Sequence, residues 1–96
     1  MINQKRLIAL TRKLISINSE NPGGSERKIA IFVEDFLERL GIPSRIYEFA
    51  KERSNVVSLL KGAGKNRQLL ITPHLDTVPA GKNWKYPPFS GLIKNG

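Results

Sequence analysis

Cysteine is missing from this chain altogether, and histidine, tryptophan and methionine occur once each. Without cysteine no disulfide framework and no thiolate metal site can be built. That suits a reducing compartment, so a cytoplasmic setting is expected. Long apolar runs are lacking too, and none is long enough to cross a bilayer. Lys5 and Arg6 stand near the start, but no continuous apolar stretch with a small-residue cleavage site follows, so no secretory leader is expected. Acidic residues are few, with 8 Asp+Glu against 16 Lys+Arg and a formal net charge of +8.

A basic balance of that size suits nucleic acid or an anionic surface. A nucleic-acid binder, however, gathers its charge on one face or stripe. Here the cations are scattered from Lys5 to Lys94, and no run exceeds two in a row. A basic nucleic-acid-binding module therefore stands as the alternative reading, and no nucleic-acid or membrane partner is expected. The other totals are globular: 40% hydrophobic and 25% charged residues sit near the averages of folded domains. A chain of 96 residues holds one small domain at most, near the size at which a single core becomes marginal.

Apolar periodicity predicts two helices. Leu7, Leu10, Leu14 and Ile17 recur at three- and four-residue steps, marking a helix over about 3–17. Lys5 and Arg6 in its first turn oppose the helix dipole. Asn18 to Gly24 is rich in turn formers and reads as a loop. Ser25 then offers an N-cap hydroxyl, and Glu26 suits the positive helix end. Ile29, Phe32, Val33, Phe36, Leu37 and Leu40 form the apolar face of the second helix. Gly41 provides a left-handed cap, and Pro43 forbids continuation.

Beyond Pro43 the pattern is that of strands. Ser44 to Ala50 and Asn55 to Leu60 read as two of them. Lys61 to Asn66 reads as a turn, and Leu69-Leu70-Ile71 as a short strand buried on both faces. Ser90 to Lys94 reads as one more strand, closed by Asn95-Gly96, a favoured turn pair. A chain ending there is expected to be interrupted. The fold class expected is α/β: two helices packed on a mixed β-sheet.

The stretch Thr72-Pro73-His74-Leu75-Asp76-Thr77-Val78-Pro79 follows the expected interior strand. In open α/β sheets ligands gather outside the carboxyl ends of strands, which is where His74 falls. Neutral imidazole is a common zinc ligand. Asp76, two residues on, points to the same side of an extended backbone. A metal-bound histidine usually gives its other N–H to a carboxylate, which fixes its tautomer. His74 is thus a candidate metal ligand and Asp76 its orienting partner. The plainer reading of a lone strand-end histidine, a hydrogen-bonded structural residue, stays open at this point.

Together with Trp84 and Pro88-Phe89 further on, the block from Leu69 to Pro79 resembles the dinuclear-zinc amidohydrolases and peptidases. These include acetylornithine deacetylase, succinyl-diaminopimelate desuccinylase, glutamate carboxypeptidases and aminoacylases. The two-helix start, the Asn21-Pro22 loop followed by Glu26, and the Ser54-Asn55-Val56-Val57 strand start resemble the opening of that family. Pro73 departs from it, standing where the family usually has glycine and removing a backbone donor just before His74.

The resemblance implies that residues 1–96 are part of a zinc-peptidase-like catalytic domain. It is cut before the remaining metal ligands and an inserted smaller domain that often dimerises, so a homodimer is implied for the whole enzyme. His74 would bind one of two Zn2+ ions, with Co2+ as a possible replacement, and Asp76 would hold its imidazole among the catalytic groups. A bridging Asp, a Glu general base, a further acidic ligand and a distant His would come later in the chain. The activity implied is metal-dependent hydrolysis of an amide bond in an N-acyl amino acid or small peptide.

Other patterns have plainer explanations. Gly62-Ala63-Gly64-Lys65 resembles a phosphate loop, but the full motif needs Gly where Leu59 sits and Ser or Thr where Asn66 sits. Trp84, Tyr86 and Phe89 could form a stacking platform, though packing under an irregular loop is the simpler use. Glu34, Asp35 and Glu38 lie on the polar side of the second helix, and no chemistry is assigned to Asn18, Ser19 and Glu20. Zinc sites of this kind need three or four protein ligands. The isolated chain, a truncated product without activity on this reading, is therefore expected to bind zinc weakly at most. Calorimetric titration of the chain with zinc checks this, and an affinity typical of a complete site would contradict it.

Overall fold

The computed structural model describes residues 1–64 and 67–96. Helices α1 (Gln4–Ile15) and α2 (Arg27–Arg39) come first, followed by strands β1 (Ser44–Ala50) and β2 (Arg53–Ser58). The α/β class expected from the sequence is the one observed. The two strands run antiparallel, and α2 packs across both. No helix among the described residues is long and apolar enough to cross a membrane.

Helix α1 starts where Asn3 caps it, its Oδ1 accepting from the Arg6 amide at 3.0 Å. That side chain satisfies one of the amides a helix start leaves free. Leu10, Leu14 and Ile17 are half-buried. The C-terminal half of α1 meets the stretch around Gly91, where Arg12 Nε donates to the Gly91 carbonyl at 2.7 Å. Gly91 is buried at φ +58°, and a Cβ there would lie 2.9 Å from the Arg12 carbonyl oxygen. Only glycine meets both demands at once.

Helix α2 is tied at both ends. The Ser25 hydroxyl accepts from the Arg27 amide at 3.1 Å, as its position in the sequence suggests. The Glu26 amide donates to the Glu52 carbonyl at 3.1 Å, which fastens the helix start to the hairpin turn. At the other end Gly41 takes φ +74°, and its amide and that of Ile42 return to Glu38 and Leu37 at 2.9 and 3.0 Å. This closes the last turn and satisfies its orphan carbonyls. Ile29 and Ala30 are buried at the start of α2, and Phe32 and Phe36 stack at 6.4 Å. In the hairpin Ile46 pairs with Val56, and both are half-buried.

Three expectations are corrected. The second strand begins two residues before Asn55 and stops at Ser58, leaving Leu59 and Leu60 at 67% and 75% exposure. Leu69, Leu70 and Ile71 form no strand and are 86%, 84% and 73% exposed. Ser90 to Lys94 joins no ladder either, and the Ser90 amide instead turns back to the Pro87 carbonyl at 3.1 Å. An apolar run records a preference for burial, but a strand needs a neighbour to take its hydrogen bonds and a layer to cover it. Among the described residues the ladder formed is β1 with β2. Of the expected turn over 61–66, Lys65 and Asn66 lie outside the described residues.

The loop before α2 is packed against itself. A Cβ on Gly24 would sit 1.7 Å from the Glu20 carbonyl oxygen, whereas one on Gly62 would meet nothing within 4 Å. Gly24→Ala is expected to force this loop open at a cost of about 1–3 kcal/mol. Gly62→Ala should stay within about 0.5 kcal/mol of the parent chain. Denaturant midpoints check both, and an unchanged midpoint for Gly24→Ala would contradict the packed loop.

Candidate functional site

Three parts of the chain meet around Asp76: the loop before α2, the start of β2 and the segment that carries His74. The joint is first a backbone one. Glu20 and Thr77 form an isolated parallel bridge. The Thr77 amide donates to the Ser19 carbonyl at 3.1 Å, and the Asn21 amide donates to the Thr77 carbonyl at 2.8 Å. The buried Ser19 adds its hydroxyl, which donates to the Leu75 carbonyl at 2.7 Å. These bonds fix the backbone on both sides of Asp76 without any strand leading into it. The sequence reading placed His74 at the end of an interior strand, and that support is corrected here. Of Asn18, Ser19 and Glu20, to which no chemistry was assigned, Ser19 and Glu20 join Asn21 in holding the segment.

His74 and Asp76 are brought together as their spacing suggests. His74 Nδ1 lies 3.3 Å from Asp76 Oδ1. The His74 side chain is 89% exposed and that of Asp76 33%. With Nδ1 engaged, Nε2 is the free ring nitrogen. The second oxygen of Asp76 accepts from Asn21 Nδ2 at 3.2 Å. These contacts hold the Asp76 carboxyl below its ordinary pKa, the Asn21 hydrogen bond most of all and the His74 contact next. Both favour the charged carboxylate because each offers it a proton.

The network continues inward. Arg53 donates from a terminal nitrogen to Asn21 Oδ1 at 3.4 Å and from Nε to Glu26 Oε2 at 2.7 Å. Glu26 is buried at 4% exposure, and a buried carboxylate of this kind requires a partner such as the guanidinium supplies. The face of Phe49 flanks Arg53 at 5.7 Å. Sequence reasoning missed Asn21, Glu26 and Arg53 as site residues. Asn21 and Asp76 are 55 positions apart, and no local period links them. The one available signal was a polar loop dense in amide and hydroxyl side chains.

A cleft of about 680 Å³ is lined by His74 and Asp76, by Glu26 and Arg53, and by the apolar Val33 and Leu37 of α2. Trp84 is 59% exposed rather than packed under a loop; its Nε1 donates to the Ala80 carbonyl at 2.8 Å, and the Ala80 amide donates to Glu20 Oε1 at 2.9 Å. Chemically the arrangement suits one position of a metal site, an imidazole with one nitrogen on a carboxylate and the other free. Among the described residues no group of three or more His, Asp or Glu side chains is gathered closely enough to hold an ion.

Comparison with known proteins gives relatives but neither a matching family model nor a matching solved structure. An N-formyl-4-amino-5-aminomethyl-2-methylpyrimidine deformylase of Halalkalibacterium halodurans is 27% identical over 98% of this chain and 23% of its own length. An uncharacterized metallohydrolase of Methanococcus maripaludis is 36% identical over 93% of the chain and 25% of its own length. A succinyl-diaminopimelate desuccinylase of Blochmanniella pennsylvanica is 32% identical over 98% of the chain and 25% of its own length. The names are those of a deformylase, a metallohydrolase and a desuccinylase, and none is that of a nucleic-acid-binding protein. The chain spans about a quarter of the length of these relatives. Matched along nearly all of its length by such proteins, and carrying the His-x-Asp pair with its ring and carboxylate in contact, the chain belongs to the amidohydrolase and peptidase family of succinyl-diaminopimelate desuccinylase.

Proposed function

We propose that this stretch is part of the catalytic domain of a cytoplasmic, metal-dependent enzyme that hydrolyses an amide bond in an N-acyl amino acid or a small peptide. The observation that carries the reading is the His74 ring, exposed beside the cleft with Nδ1 on Asp76 and Nε2 free. The names of the relatives support the substrate class, since a deformylase and a desuccinylase are each named for the acyl group they remove. The metallohydrolase among them supports a metal requirement.

In this reading His74 contributes one nitrogen to a metal site of two Zn2+ ions, with Co2+ as a workable substitute. Asp76 keeps the ring in the tautomer whose Nε2 lone pair is available. A metal ion held there supplies Lewis acidity toward the scissile carbonyl. The remaining ligands and the general base are assigned to other parts of a longer polypeptide, as is any surface for pairing two copies. The absence of cysteine agrees with a reducing compartment.

The test is His74→Ala in the full-length enzyme, with metal content read by elemental analysis and turnover on N-succinyl and N-acetyl amino acids. Loss of bound metal is expected, with kcat/KM down by at least about 100-fold, since metal Lewis acidity is worth several kcal/mol. Unchanged metal content would remove His74 from the site.

A further inference from the structure

The hydrogen-bonded chain that reaches His74 begins at the buried Glu26, and its members have unequal chemistry. Carboxylates only accept, a guanidinium only donates, and an amide side chain does one at each end. Glu26 accepts from Arg53. Arg53 can offer Asn21 only a proton, so the amide must turn its oxygen toward Arg53. That leaves its nitrogen toward Asp76, where a carboxylate can use it. Asp76 in turn can only accept from His74. Each link dictates the next, and the ring is left with its proton on Nδ1 and its lone pair on Nε2. No other arrangement of the amide satisfies both of its neighbours.

Asn21 is well placed for such work. Its backbone amide is bonded to the Thr77 carbonyl at 2.8 Å, so its Cα is already held beside the residue that follows Asp76. Little freedom remains to be lost when its side chain engages the carboxylate. Arg53 is likewise fixed before it reaches Asn21, by the buried Glu26 and by the ring of Phe49. We propose that Asn21 is a positioning residue for His74. It sets the Asp76 carboxylate, its own amide being set by Arg53, and so determines which ring nitrogen is offered to a metal. The proposal rests on the reading of His74 as a metal ligand.

The experiment uses the full-length enzyme and the metals alone, zinc and cobalt. Asn21→Asp is nearly isosteric and keeps an oxygen for Arg53, but it replaces the donor facing Asp76 with a second acceptor. Zinc affinity, measured by competition with a chelator, is expected to fall about 10- to 100-fold, the usual effect of losing a group that orients a ligand. The visible bands of the cobalt-substituted protein should shift as well, while the thermal midpoint of the metal-free protein moves by no more than a few degrees. A purely structural role for Asn21 would do the reverse, lowering the midpoint and leaving the cobalt bands in place, and that result would overturn the proposal. Should Asn21→Asp fail to fold, Asn21→Ala removes the donor without adding charge and is expected to weaken zinc binding in the same direction. Parent-like affinity in that variant would equally overturn the proposal. His74→Ala, run in parallel, separates the two ideas. If it abolishes tight zinc binding while the Asn21 variants keep parent affinity, the relay falls and the ligand assignment stands. If it leaves zinc affinity unchanged, both fall.

Discussion

A carboxylate that can only accept hydrogen bonds, held between an amide and an imidazole that both donate, is the pivot of this structure. Asp76 receives Asn21 on one oxygen and His74 on the other. Remove that carboxylate and Asn21 loses its side-chain tie to the histidine segment, while the ring loses the contact that selects its tautomer. The backbone bonds among Ser19, Asn21 and Thr77 serve the same end, because they bring the pivot within reach of a network rooted in the buried Glu26. Burial at that root matters. A carboxylate out of water binds its guanidinium partner firmly, and the firmness passes outward to a site that is itself mostly exposed.

Residues close in sequence were largely legible, and residues joined across the chain were not. The stripe from Leu7 to Ile17 and the face from Ile29 to Leu40 announced α1 and α2, because helical periodicity is a local property. Ser25 and Gly41 marked the ends of α2 for the same reason, since caps depend on the next few residues only. His74 and Asp76 could be paired from their spacing. The contacts of Asn21 with Arg53 and with Asp76 could not, since they depend on how α2 and the hairpin set the loop beside the histidine segment. Leu69-Leu70-Ile71 is the converse case. Its composition is that of an interior strand, yet strand formation is a property of neighbours, and among the described residues none accepts its ladder.

The distribution of apolar surface fits this picture. Among the described residues the buried hydrophobic ones, Ile29 and Ala30, lie at the start of α2, close to Glu26 and hence to the root of the network. Strongly exposed apolar residues include Leu59, Leu60 and Leu69 to Ile71, on either side of the stretch between β2 and the histidine segment, and also Met1, Ile2 and Val78. Burial and polar contacts coincide at the start of α2, where Glu26 anchors the network that reaches Asp76. The relatives, about four times as long by the share matched, have ample further chain with which such surface can be covered.

The central claim is that His74 offers Nε2, with Nδ1 kept on Asp76. A zinc-loaded crystal structure of the full-length enzyme, with the metal located by anomalous scattering, tests it most directly. The account requires a zinc ion about 2.0–2.1 Å from His74 Nε2, with Nδ1 still against Asp76 and Asn21 still on the other carboxylate oxygen. Zinc on Nδ1, or zinc bound with His74 turned away from it, would contradict the account.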